Sequence, residues 1–220
     1  MAEAVKPKRR YNSPRRREQA AATRRTILET AQRLFERDGY TATTMDAIAA
    51  DAGVALKTVY VGFETKSGLL RALWNHLLRA GRDEVPVAEQ PWYREVLAEP
   101  DPERQLRLHA RNVRVVKLRI GGVLEVIRAA APTDPEIGAL WRRIQSDFHA
   151  NQRVIAESLD AKHALRAGVD VDAATDILWT LNISNVWHLL VAERGWTPER
   201  FEAWIGDVAC SQLLARESRR

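Results

Sequence analysis

The chain has 220 residues, 45% of them hydrophobic, and a net charge of +5. That length allows one large or two small domains, and that apolar content supports a packed core rather than a disordered chain. A single cysteine, Cys210, excludes an intrachain disulfide and a cysteine metal site and fits a reducing, cytoplasmic setting.

Charge is concentrated at the start. Residues 1–25 carry nine Lys and Arg against Glu3 and Glu18, a net +7, which leaves −2 on the remaining 195. A basic arm on a near-neutral body is the footprint of a polyanion partner. Residues 1–19 lack apolar periodicity and hold Pro7 and Pro14. They read as a disordered arm, with Arg16 and Arg17 placed to meet phosphates or a minor groove. No apolar run follows the basic residues, so a signal peptide is not expected. The longest uncharged run, 177–192, includes Thr180, Asn182, Ser184, Asn185 and His188. It is too short and polar for a membrane span, which needs about 20 apolar residues.

A first helix is predicted over Ala20–Arg37, with Ile27, Leu28, Ala31, Leu34 and Phe35 as its buried stripe and Gly39 as its stop. Thr43 or Thr44 can cap the next, since each offers a side-chain oxygen to free helix N–H groups. Ile48, Ala49 and Ala52 share a face of that short helix, and Gly53 ends it by accepting positive φ. Val54 follows as an apolar plug. A second short helix over Ala55–Val61 turns Leu56 and Val59 inward and Lys57, Thr58 and Tyr60 outward. Two short helices around a tight glycine turn make a helix-turn-helix. Thr65 can cap a further helix to about Arg82, with Leu69, Leu70, Leu73, Trp74 and Leu77 inward. Its length makes it the expected link between a small N-terminal domain (20–66) and a larger one (67–220).

Residues 85–100, with Pro86, Pro91 and Pro100, read as a connector. Beyond it Asp101-Pro102-Glu103, Asp134-Pro135-Glu136 and Thr197-Pro198-Glu199 share one plan: a cap, a proline at the first helical position, and an acid at the positive helix end. Asp172 opens a fourth segment without proline. No stretch alternates like a strand, so the chain is expected to be all-α, with about nine helices. The helix from Asp101 has an arginine face, read as solvated, and is expected to break at Gly121-Gly122 before a short helix over Val123–Ala130. Helices are also predicted over Pro135–Leu159, Asp172–Glu193 and Pro198–Ala215. The segment Asp172–Glu193 is apolar nearly all round, so one of its faces is expected to meet a second subunit.

Ala52-Gly53-Val54, Thr58-Val59-Tyr60, Phe63 and Lys66, with the flanking helices from Thr26 to Leu73, resemble the N-terminal domain of the TetR family of transcriptional regulators. Ala55 stands where that family's recognition helix usually opens with Ser, and Val61-Gly62 where it often places a His-aromatic pair. The resemblance implies a three-helix DNA-binding domain, a larger helical ligand-binding domain, and a four-helix dimer interface built from the last two helices. It implies a homodimeric repressor released by a small-molecule effector from a near-palindromic double-stranded DNA operator. Lys57 and Thr58 are candidates for base or phosphate contact, and Thr44, Tyr60 and Lys66 for phosphate contact. Trp74, His109, Trp141, Phe148, Asn185 and His188 project from apolar helix faces and are candidate ligand contacts, the pocket itself being implied by the resemblance.

The competing classes are a DNA-binding protein without small-molecule control and a helical enzyme. The five histidines are scattered, and no paired carboxylates, nucleophile elbow or HExxH motif is present, so no metal, cofactor or catalytic residue is expected.

Overall fold

The computed structural model describes residues 14–80 and 89–215, so most of the expected arm and the start of the expected connector lie outside the described residues. All named elements within them are helical: α1 Pro14–Ala42, α2 Met45–Asp51, α3 Leu56–Phe63, α4 Lys66–Leu78, α5 Pro91–Ala98, α6 Pro102–Ala130, α7 Pro135–Ala161, α8 Val171–Asn182, α9 Ser184–Trp187 and α10 Pro198–Leu213. From α9 the chain runs directly into a wider π-helical coil over His188–Glu193.

The local start signals act as read. The side chains of Thr44, Thr65, Asp101, Asp134 and Thr197 each accept a backbone N–H at the start of α2, α4, α6, α7 and α10. For α8 the cap is Asp170, and Asp172 sits in the first turn as an acid at the positive helix end. Helix α1 begins six residues before its expected start at Ala20, so Arg16 and Arg17 are helical and exposed. Gly39 interrupts α1 at φ 80° and ψ 167°, and one further turn follows it.

Three predicted boundaries are corrected by long-range packing. The expected connector contains α5, which turns Tyr93 and Val96 inward. Gly121-Gly122 does not break α6, which continues for 29 residues, roughly 43 Å. Ile120, Val123, Leu124 and Ile127 hold that segment in the core, and such packing outweighs the poor helix propensity of glycine. The glycines sit at close approaches, Gly121 beside Trp187 and Gly122 against the Glu36 side chain. The expected single helix Asp172–Glu193 is divided at Ile183, whose backbone is extended.

That division also gives the two halves of the segment different partners within the chain. Helix α8 packs Ala174 and Leu178 into a cluster with α6, α7 and α10. After the break, Val186, Trp187 and Leu190 pack against Phe201 and Ile205 of α10 and Val113 of α6. Much of both apolar faces is thereby taken into the chain's own core, while Leu189 stays 51% exposed.

The expected boundary at residue 66 is the start of α4, but the core is continuous across it. One cluster joins Ile27, Phe35, Ile48, Val59 and Leu70 of the first four helices to Ile120 and Leu124 of α6 and Ile137 and Ile144 of α7. Movement of the N-terminal helices is therefore tied to α6 and α7 through a close-packed interior.

Candidate nucleic-acid interface and ligand cavity

Gly53 makes the turn between α2 and α3 at φ 66°, where a side chain is penalised, and the Val54 N–H donates to the Ala49 carbonyl. Val59 and Phe63 bury the inner face of α3. Lys57, Thr58, Tyr60 and Val61 are left on the outside, Val61 being 76% exposed. A short helix presenting polar groups and a bare apolar residue on one face suits a groove lined by base edges and methyl groups. Ala55 supplies no side-chain cap. The far end of α3 is held instead by Arg24 of α1, which donates to the Gly62 carbonyl at 3.2 Å and lies 4.5 Å from the Phe63 ring centroid. Thr44 accepts the Ala47 N–H at 3.0 Å and is exposed, so its hydroxyl proton stays available to a phosphate.

Lys66 is placed differently from the expectation. Its ammonium donates to the carbonyls of Tyr40 at 2.8 Å, Thr43 at 3.0 Å and Thr41 at 3.4 Å, and lies 4.4 Å from the Tyr40 ring centroid. All three protons are directed at the end of α1, and burial lowers its pKa. Lys66 is a clasp between α4 and α1, not a free phosphate contact. Beside it, Gly68 lies so close under the end of α3 that an added Cβ would press into the Phe63 carbonyl oxygen.

The N-terminal helices meet the body at two polar struts. The Tyr40 hydroxyl donates to Asp134, and the Ser67 hydroxyl to Glu136, both at the start of α7. Desolvation and Asp134 raise the Tyr40 pKa, and the Tyr40 hydrogen bond lowers that of Asp134. At the other end of α4, Arg119 of α6 donates to the Leu78 carbonyl at 3.3 Å. The expectation that α4 alone links the two regions is therefore corrected: α1, α6 and α7 share the link.

Between α4, α5, α6 and α7 lies a cavity of about 260 Å³. It gathers Trp74, His109 and Phe148 of the six predicted ligand contacts. The Trp74 and Phe148 ring centroids are 6.1 Å apart. The other three do not line it. Trp141 is half-buried against the core cluster that joins the N-terminal helices to α6 and α7, Asn185 is exposed, and His188 pairs with Glu193 at 3.3 Å. A helical stripe reports burial, but not which cavity a side chain reaches.

The structure adds Trp92 and Tyr93 from α5, and Asn112, Lys117 and Gln152 from α6 and α7. Asn112 donates to the Trp92 carbonyl at 2.9 Å and so holds α5 as a wall. Burial brings the His109 pKa down to about 4, so it is neutral at pH 7. Lys117 is 2% exposed, and burial pushes its pKa down to about 7. One sequence signal for it existed: 106, 110, 113, 117, 120 and 124 form a single 3–4 stripe in which only Lys117 is charged. Among the described residues no group of His, Cys, Asp and Glu could hold a metal ion, and no helix is long and apolar enough to cross a membrane.

Residues 27–73 match the model of bacterial regulatory proteins of the tetR family. The chain is similar to the HTH-type transcriptional regulator EthR of Mycolicibacterium smegmatis, 27% identical over 80% of this chain and 79% of that protein. It is 33% identical to the HTH-type transcriptional regulator TtgR of Pseudomonas putida over 45% of this chain and 50% of that one. Its fold is that of NalD, the secondary repressor of the MexAB-OprM multidrug efflux pump in Pseudomonas aeruginosa, with TM-score 0.69 and 19% identity over 91% of this chain and 100% of that one. The SmeT–triclosan complex gives TM-score 0.69 and 19% identity over 89% and 93%. Residues 27–73, with their glycine-turn reading head, thus carry the N-terminal domain of the TetR family of bacterial regulatory proteins, and the relatives that the chain resembles over a longer span are transcriptional regulators.

Proposed function

We propose that this regulator is a homodimeric repressor, released from a near-palindromic operator when a small molecule fills the cavity between α4 and α7. One observation carries the reading. The helices that wall the cavity also hold the reading head: α4 contributes Trp74 to the cavity and Lys66, Ser67 and Gly68 to the head, while α7 contributes Phe148 to the one and Asp134 and Glu136 to the other. A ligand that separates Trp74 from Phe148 moves α4 against α7, and with it the Ser67 and Tyr40 struts. The role of NalD as a repressor and the triclosan held by SmeT support this reading.

In the dimer each α3 enters one half-site, so a two-fold operator mirrors the two-fold protein. Lys57 and Thr58 meet bases or phosphates; Thr44, Tyr60, Arg16 and Arg17 meet phosphates. Leu118 and Leu189, each more than half exposed, are apolar surface available to a second subunit. The test has two parts. Sedimentation at micromolar concentration should give twice 24.9 kDa. Genomic fragments selected on the protein should share an inverted repeat, and compounds that bind the protein should weaken that binding. Linkage requires the operator to weaken compound binding by the same factor. A stable monomer, or operator affinity indifferent to every compound that binds, would refute the release mechanism.

A further inference from the structure

The cavity contains a charge without a counter-ion. Lys117 is 2% exposed, its Nζ has no hydrogen-bond partner, and it borders the cavity halfway along α6. An unpaired buried ammonium costs several kcal/mol unless something compensates it. Partial compensation comes from the Phe148 ring, whose centroid is 5.5 Å from Nζ. The charged groups around it do not complete the task. Glu125, two turns further along α6, attracts Lys117 but forms no ion pair with it; its Oε2 accepts from Arg128 at 2.8 Å, and its Oε1 is buried without a partner. Asp147 of α7 stands at the cavity rim, 65% exposed and 3.8 Å from Arg143. His109 is neutral. Helix α4 brings Trp74 and Leu78, α5 brings Trp92 and Tyr93, and α8 brings Asn182, none of them charged. A second polar atom is orphaned in the same walls: Gln152 Oε1, on a residue 2% exposed, lacks a donor.

Resting on the reading of this cavity as the effector site, we propose that its ligand is an aromatic anion, with a carboxylate or similar oxyanion paired to Lys117 Nζ, its ring against Trp74 and Phe148, and a hydroxyl or N–H donor reaching Gln152 Oε1. The ring faces supply the apolar contact and the lysine supplies the sign. A cation of the same shape would be repelled by Lys117 and would find no buried carboxylate among these walls. A neutral analogue would leave the ammonium unpaired. The anion therefore gains most, because its own loss of hydration is offset only where a buried cation awaits it.

The experiment compares three probes of one shape on the full-length protein: naphthoate, naphthamide and naphthylmethylammonium, by isothermal titration calorimetry at pH 7. Wild type should bind naphthoate at least about tenfold more tightly than naphthamide, and the ammonium least. Lys117→Met should cost naphthoate about tenfold or more while changing naphthamide by less than about threefold. Lys117→Gln serves as a second neutral variant should Lys117→Met not fold. Equal binding of acid and amide, preference for the ammonium, or an acid preference that survives in both variants overturns the anion proposal and leaves the effector site standing with another chemistry. No heat with any of the three overturns both.

Discussion

The Tyr40 hydroxyl donates to Asp134 Oδ2 across 2.7 Å, while Oδ1 of the same carboxylate caps α7 through the Glu136 and Ile137 N–H groups. One side chain thus fixes the start of α7 and the last turn of α1 together.

Tyr40→Phe should remove that strut without changing the core, since the ring still packs on Phe35. The expected cost is about 1 kcal/mol by urea denaturation. The difference from wild type should depend on pH. Asp134 has a lowered pKa, so its contribution is present above the unfolded value of about 4 and is lost as pH falls through the folded one. Tyr40 has a raised pKa, so its contribution holds below about pH 10 and fades above that as the phenol ionises. Curves that stay parallel from pH 3 to pH 11 would show the strut to be energetically idle.

Lys66→Met should destabilise the reading head yet leave the salt dependence of DNA binding nearly unchanged. Three carbonyls at the end of α1 lose their donor, for a loss of about 1–3 kcal/mol. A residue that neutralised one phosphate would instead lower the slope of log affinity against log salt by about 0.9. A slope change of that size would place Lys66 on DNA after all.

Lys57→Ala and the pair Arg16→Gln, Arg17→Gln should behave in the opposite way. All three side chains are exposed, so melting should shift little. For each phosphate contact removed the salt slope should fall by about 0.9. If Lys57 also reads a base, its variant should relax preference at one operator position by about 1–3 kcal/mol. Unchanged binding in every variant would move the interface off α3 and the start of α1.

Lys117→Met should raise stability at pH 7. The wild-type ammonium has a folded pKa of about 7 against an unfolded value near 10.4, so the folded state binds fewer protons between them. Wild-type stability should therefore rise from pH 7 towards pH 10, and the advantage of the variant should shrink over that window. The size is of the order of a few kcal/mol. A constant offset across the window would mean that Lys117 keeps an ordinary pKa in the folded protein.

The parts of the fold written in short-range chemistry were readable from the residues. Thr44, Thr65, Asp101, Asp134 and Thr197 announce helix starts because a cap needs only its own next turn. Gly53 announces a turn for the same reason. The continuity of α6 through Gly121-Gly122 and the division at Ile183 depend on what Trp187, Phe201 and Glu36 do from far along the chain. The same holds for the site. Lys66 reads as a free cation until the carbonyl of Tyr40, 26 residues earlier, is brought beneath it. Helical periodicity placed Trp74 and Trp141 equally inward, and only the tertiary arrangement separates the cavity wall from the core. Lys117 was the one cavity residue with a local mark, a charge inside an apolar stripe.

Gly68 carries a consequence for genetics. The space where its Cβ would stand is filled by a backbone oxygen at the end of α3, which no rotamer change can clear. A single base change can replace this glycine, and every product has a Cβ. A random screen for cells that have lost repression should therefore recover changes at codon 68 as readily as at codons 57 and 58. Those alleles should make protein that dimerises and binds small molecules yet no longer recognises its operator, although residue 68 never meets DNA. A codon that tolerates alanine without loss of repression would show that α3 and α4 can part at little cost.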